Sequence, residues 1–196
     1  MSIFYEFVEK DDSNFVLRLG GSITAKDVTS IAKYIDTHNV NVDTVHLLYG
    51  EVQDRAFTDN RMKIKTLYID DIDSIGVSAF EDCSIEKIDF GRNVISRVNI
   101  QEFAFANNPI KSLTIRQSRV KSIRKFAFAG LFQLESLEFI NDDYDYISDI
   151  EIYRSAFSGA RNLDFKAPEA YSNMPEIFGV KKQDNKSVTV IKEKEN

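Results

Sequence analysis

Residues 110–139 read IKSLTIRQSRVKSIRKFAFAGLFQLESLEF and contain one complete unit followed by the start of the next. Ile110-x-x-Leu113-x-Ile115 opens the unit, and Leu134-x-x-Leu137-x-Phe139 repeats it about 24 residues later. Between them lies Ala127-Phe128-Ala129-Gly130. The same apolar triplet occurs at Val42/Val45/Leu47, Ile64/Leu67/Ile69, Ile85/Ile88/Phe90 and, in weaker form, Ala160/Leu163/Phe165. An Ala-Phe pair separates successive triplets at Ala56-Phe57, Ala79-Phe80, Ala104-Phe105, Ala127-Phe128 and Ala156-Phe157. A period in the low twenties predicts a solenoid, in which each unit buries its apolar face against the next.

The residues around each Phe stand in register. Asp59, Asp82, Asn107, Gly130 and Gly159 fall two positions after it. Those three residue types tolerate a left-handed backbone best, so a turn ending in that conformation is predicted there. The next column holds Asn60, Cys83, Asn108, Leu131 and Ala160.

A triplet, a variable edge, and then an I-x-x-x-A-F-x-G-C-x-x-L segment resembles the BspA-like, treponemal-type leucine-rich repeat. It is carried here by Ile75-Gly76-Val77-Ser78-Ala79-Phe80-Glu81-Asp82-Cys83 and by Ile123-Arg124-Lys125-Phe126-Ala127-Phe128-Ala129-Gly130-Leu131, and it spans roughly residues 42 to 165. The spacing widens between Phe128 and Phe157, and the Gly-Cys columns are filled degenerately. The resemblance implies a leucine-rich repeat solenoid of short parallel strands and short helical or 3₁₀ turns, and it implies protein recognition.

Composition narrows the function classes. The chain has 196 residues, 43% hydrophobic and 29% charged, which suits one domain with a real core. A net charge of −6 argues against nucleic-acid binding, since phosphate contacts need concentrated positive charge. One cysteine excludes an internal disulfide and a Cys-rich zinc site. No stretch reaches the length of a membrane span, and the first ten residues lack a basic start and an apolar run. The expectation is a cytoplasmic protein without cofactor, membrane or nucleic-acid partner; a trimmed start would instead allow a secreted or surface protein.

Three regions are expected. In residues 1–41, alternating runs around Asp11-Asp12-Ser13-Asn14 predict a β-hairpin, and Gly20-Gly21-Ser22 is expected to break its second strand. Thr24-Ala25-Lys26-Asp27 has capping-box spacing, and Val28, Ile31, Ala32 and Ile35 lie on one helical face, so a helix is predicted from Thr24 to about His38. Together these would cap the solenoid end. Residues 42–166 carry five to six repeats, with Ile72/Ile75, Ile95/Val98, Val120/Ile123 and Ile147/Ile150 as a second apolar rank on the opposite wall. In 167–196 Pro168, Pro175 and Gly179 interrupt the pattern around a small Ile177-Phe178 cluster, 188–191 is expected as a last strand, and 192–196 as a frayed end.

Candidate chemistry is sparse. Cys83 could be a nucleophile, but its column makes it a packed turn residue. The insertion 141–151 carries five acids and no base, yet Tyr146 and Ile152 stand where an EF-hand requires Gly and Glu. It reads as a solvated loop, with Asp143, Tyr144 and Tyr146 as secondary candidates for partner contact. Arg116, Arg119, Lys121, Arg124 and Lys125 form a basic cluster, expected to offset that acidic insertion rather than to bind nucleic acid. Gly20-Gly21-Ser22 lacks the P-loop Lys-Ser/Thr. With only His38 and His46, most hydrolase constellations cannot be assembled.

Alternation along each strand leaves an outward column of His46, Tyr68, Asp89, Thr114, Glu138 and Asp164. Beside it run Thr44, Thr66, Lys87, Ser112, Ser136, Asn162 and, on the other side, Leu48, Asp70, Gly91, Arg116, Ile140, Lys166. The expected function is a non-enzymatic protein-recognition or scaffold module that binds a protein partner through His46, Tyr68, Asp89, Thr114, Arg116, Glu138 and Asp164, or through the repeat edge. The alternatives are an intracellular effector-type protein with an unrecognised activity and a structural subunit of a larger assembly.

Overall fold

The computed structural model describes residues 3–58, 62–91, 96–140, 150–153, 155–160, 164–168 and 187–191, the side chains through residue 166. Strands β1 (Phe4–Asp11) and β2 (Asn14–Ile23) form an antiparallel hairpin. Its turn is held by Asp11, whose Oδ1 accepts from Ser13 N at 3.2 Å and from Asn14 Nδ2 at 2.7 Å. Helix α1 (Ala25–His38) starts at Thr24, with the predicted capping box to Asp27, and ends on Asn39 in a left-handed conformation at φ 53°. All later strand pairs are parallel. They are β3 (Val42–Val52), β4 (Thr66–Ile75), β5 (Lys87–Phe90), β6 (Val98–Ile100), β7 (Ser112–Arg116), β8 (Val120–Ile123), β9 (Ser136–Ile140), β10 (Glu151–Ile152), β11 (Asp164–Pro168) and β12 (Ser187–Ile191).

The chain winds into a β-solenoid of about six turns. β3 and β4 are long and serve both ranks of the pattern. The first half of β4 pairs with β5 and its second half with β6. In later turns the ranks separate into distinct strands, β7, β9, β11 and β12 on one ladder and β6, β8 and β10 on the other. The second rank at Ile72, Ile75, Val98, Val120, Ile123 and Ile150 is buried; Ile95 and Ile147 lie outside the described residues.

The Ala-Phe segments stack turn on turn. Phe57, Phe80, Phe105, Phe128 and Phe157 are at most 1% exposed. Their neighbouring ring centroids lie 4.5, 5.5, 5.2 and 5.1 Å apart, with interplanar angles of 18°, 6°, 14° and 4°. A parallel in-register ladder advances by about 4.8 Å per strand without turning the residue over. One ring per turn at a fixed position therefore falls into a near-parallel stack, and bulk and spacing both favour Phe.

The backbone around these rings is not helical. Each Ala N–H reaches the carbonyl three residues back, as from Ala79 to Gly76 at 3.2 Å and from Ala127 to Arg124 at 3.3 Å. The N–H groups of Phe57, Phe80, Phe105 and Phe128 then leave their own turns and donate to the Ala carbonyl of the next, at 2.8 Å. A helix is prevented by a left-handed residue two positions before each Phe: Arg55, Ser78, Phe103, Phe126 and Ser155, at φ 53° to 62°. That is where a type II turn places its positive φ. The predicted left-handed column two positions after Phe is also present, in Asp82, Asn107, Gly130 and Gly159. Asp59 and Asn60 lie outside the described residues.

Besides the short helical or 3₁₀ turns expected around the rings, which are non-helical hydrogen-bonded turns, two expectations are corrected. Gly20-Gly21-Ser22 does not break the hairpin but lies inside β2, which continues to Ile23 and pairs with β3. Gly21 and Gly50, paired across the two strands at φ 101° and 98°, let the backbones approach closely, since a Cβ on Gly50 would fall 2.3 Å from Gly21 O. The last triplet is also displaced. Phe165 sits opposite Leu137, not opposite Phe139. Ala160 is spent in closing the turn, its N–H bonded to Phe157 O at 3.1 Å, so the following strand starts later than the triplet implied.

Candidate functional site

The outward face begins in the hairpin. Parallel pairing of β2 with β3 sets Leu17 beside Val45 and Leu19 beside Leu47, so the apolar residues of β2 continue the inward rank. The residues between them then continue the outward one. Glu6, Arg18, His46, Tyr68 and Asp89 stand in one row across β1, β2, β3, β4 and β5.

Four members of this row, Glu6, Arg18, His46 and Tyr68, are held by neighbours. Arg18 Nη1 lies 2.6 Å from Glu6 Oε1. His46 Nε2 lies 2.7 Å from Asp70 Oδ2, and its ring meets Tyr68 edge-on at 5.7 Å. Lys87 Nζ stands 5.9 Å over the Tyr68 ring. Gly91 keeps room for the Asp70 carboxylate, since a Cβ there would fall 2.4 Å from Asp70 Oδ1. Lys10 reaches Asp43 at 3.5 Å and Thr44 at 3.4 Å. The Thr44 hydroxyl holds the Asp43 carboxyl below its ordinary range; burial opposes it, and the Lys10 and Lys65 ammonium groups add to the lowering. The Tyr49 ring lies against Gly20, where a Cβ would meet it at 2.5 Å, and Phe4 is opposite Gly20 in the hairpin. Tyr49, Phe4, Val8 and Tyr68 are 51%, 40%, 39% and 36% exposed.

The second half of the face differs. Among the described residues no ladder joins β5 to β7, because the four-residue β5 pairs with β4 alone. The expected continuous row is thus two blocks, with Asp89 ending the first and Thr114 opening the second. Thr114 stands beside Glu138, and Glu138 beside Lys166. Asp164, expected next to Glu138, lies beside Ser136 because the β11 register is shifted by two. Ser112 and Ser136 share a hydrogen bond at 2.9 Å, and Arg116 is paired with Ile140. None of the exposed large apolar side chains belongs to β7 or β9.

The other candidates resolve differently. Cys83 is 6% exposed, with its thiol directed at Phe57 O (3.2 Å) and Glu81 O (3.4 Å), as a packed turn residue should be. In the same column Asn108 is buried and bonds Phe80 O, Phe105 O and Ala106 O, while its Oδ1 accepts from Ile85 N. His38 stacks on Tyr34 at 4.0 Å, and Tyr34 on Phe7 at 5.6 Å. The basic cluster is not one surface: Arg119 is 3% exposed, and the Arg124 guanidinium lies 4.4 Å over the Tyr153 ring. Tyr153 donates to Glu151 at 2.7 Å, and that hydrogen bond raises the phenol pKa. Asp143, Tyr144 and Tyr146 lie outside the described residues. A cleft of about 560 Å³ between the hairpin turn and the end of α1 is lined by Asp12, Ser13, Phe15, Asn39, Val40 and Asn41. Among the described residues no group of three or more His, Cys, Asp or Glu is placed to hold a metal ion, and no helix is long and apolar enough to cross a membrane.

Arg18, Glu6, Phe4 and Tyr49 were missed by sequence reading. The available signal was Leu17-x-Leu19, which matches the end of a repeat triplet and makes β2 an incomplete first turn.

No curated protein and no solved structure matches the chain. The family described as the BspA type leucine rich repeat region matches residues 50–176 in six copies. With that match over most of its length, and with the triplets inside and the Ala-Phe turns stacked, the chain belongs to the BspA-type leucine-rich repeat family.

Proposed function

We propose that this chain is a non-enzymatic protein-recognition module whose partner docks on the outward face of β1 to β5. Leucine-rich repeats of this family suggest an interaction or scaffold role. The observation that carries the choice of surface is the coincidence, on one half of the face, of exposed Tyr49 and Tyr68 with the charged groups Arg18, Asp70 and Lys87 and the imidazole of His46. Tyr supplies large amphipathic contact area at low entropy cost, and Tyr and Arg are enriched at interaction hot spots. Their prior mutual contacts fix the side chains before binding, which reduces the ordering cost of association. Residues 1–41 act as the N-terminal cap, 42–166 as the leucine-rich repeats, and 167–196 as the C-terminal cap, with the docking face shared between the cap hairpin and the first repeats.

The test uses partners recovered from the native host on the immobilised chain and identified by mass spectrometry. Tyr68→Ala with Arg18→Glu should leave the circular dichroism spectrum unchanged and lower capture at least tenfold. Thr114→Lys with Glu138→Lys, on the other block, should capture normally. The reverse pattern would refute this assignment.

A further inference from the structure

β1 forms the free edge of the eight-stranded sheet: it pairs with β2 on one side and, among the described residues, with no strand on the other. A solenoid end is usually closed by something polar. This one carries Phe4, Tyr5 and Val8 at 40%, 48% and 39% exposed, three of the eight exposed large apolar side chains of the described chain. A long edge strand with exposed apolar residues is a template for another strand. We infer that β1 pairs antiparallel with β1 of a second copy of this chain, on a two-fold axis through Val8.

The charges select both occupant and register. In a self-pair centred on Val8, Glu6 of each copy stands opposite Lys10 of the other, so two opposite-charge pairs form by symmetry. A centre on Phe7 puts Glu6 against Val8. A centre between Phe7 and Val8 puts Glu6 against Glu9, and like charges directly opposite are unfavourable. The two charged residues share one face with Val8. Glu6 bonds Arg18 there, and Lys10 reaches Asp43 and Thr44 across the same face despite the bulge between Glu9 and Asp11. Their side chains remain 40% and 47% exposed, so both stay available to a partner strand. Edge charges commonly discourage pairing; these are placed so that their own image satisfies them. One eight-residue strand pair is a small interface, so the dimer is expected to be weak and concentration-dependent.

The proposal is tested by sedimentation of the full chain over a wide concentration range. The parent chain should show a monomer–dimer equilibrium. Glu6→Lys and Lys10→Glu should each weaken self-association about tenfold or more, because each turns both symmetric pairs into like charges. An equimolar mixture of the two variants should dimerise as well as the parent, since the first offers Lys at both positions and the second Glu at both. Circular dichroism spectra matching the parent establish that both variants fold. A parent chain that stays monomeric throughout overturns the inference. So does a dimer indifferent to both substitutions, or a mixture no better than either variant alone.

Discussion

The inward stack of phenylalanines in the turns and the outward row across the strands obey different rules. Inside, Phe57, Phe80, Phe105, Phe128 and Phe157 repeat one residue type at one position, with near-parallel rings 4.5 to 5.5 Å apart. Outside, Glu6, Arg18, His46, Tyr68 and Asp89 share no residue type, although strand ladders align them as strictly as the turn-to-turn bonds align the rings. Translation along the solenoid constrains whatever faces the core, because each turn must fit its two neighbours. It leaves the solvent side free. Identity inside therefore reports the fold, and variation outside is where recognition can be built.

Removing one ring tests the inward half of this contrast. Phe128→Ala takes away a fully buried side chain that stacks on both Phe105 and Phe157. A cost of about 3–5 kcal/mol is expected, a large part of a typical stability of about 5–15 kcal/mol. Urea and thermal melts should both shift strongly. A melting temperature within a degree or two of the parent would mean that the stack does not hold the turns together.

A smaller effect should come from the turns that deliver the rings. Ser155 is left-handed at φ 62°, two positions before Phe157. Ser155→Val should cost about 1–3 kcal/mol because β-branched residues resist that conformation. Ser155→Gly should be neutral or stabilising by up to about 1 kcal/mol. Equal melting temperatures for the two variants would show that the backbone there is not constrained as described.

The smallest effect belongs to the outward face and depends on pH. The Asp43 carboxyl is held below its ordinary value of 3.8, chiefly by the Thr44 hydroxyl. A depressed carboxyl pKa contributes stability that is present above the unfolded value and is lost as pH falls through the folded value. Chemical denaturation should therefore show a slightly steeper loss of stability below about pH 4 for the parent than for Thr44→Val. The inner column contains nothing that titrates, so Phe128→Ala should lower stability by the same amount across this range.

Much of the solenoid was legible because it repeats. Triplets, Ala-Phe pairs and the left-handed column after Phe each use residue types that geometry narrows to a few. The left-handed column before Phe was not legible, since Arg55, Ser78, Phe103, Phe126 and Ser155 share no property that announces it. That column is why the turns are not helical. The displaced last strand had a related cause: Ala160 fits both an apolar triplet and a turn closure, and only the hydrogen bond to Phe157 O separates them. On the outward face, His46, Tyr68 and Asp89 were placed correctly. Their continuation into Arg18 and Glu6 depended on β2 lying parallel to β3, which alternation within one strand does not reveal.

The Phe N–H to Ala carbonyl bonds have a mechanical consequence. They run from turn to turn, along the axis, as do the bonds of the two strand ladders. A force applied between the two ends of the solenoid therefore opens bonds one rung at a time instead of shearing many together. From Phe80 to Phe105 to Phe128 the turns contain 25 and 23 residues. Each turn peeled away lengthens the chain by roughly 75 to 90 Å at about 3.3–3.6 Å per extended residue. Pulled along its axis, the molecule yields as a series of small, nearly equal steps; pulled across it, the same bonds share the load.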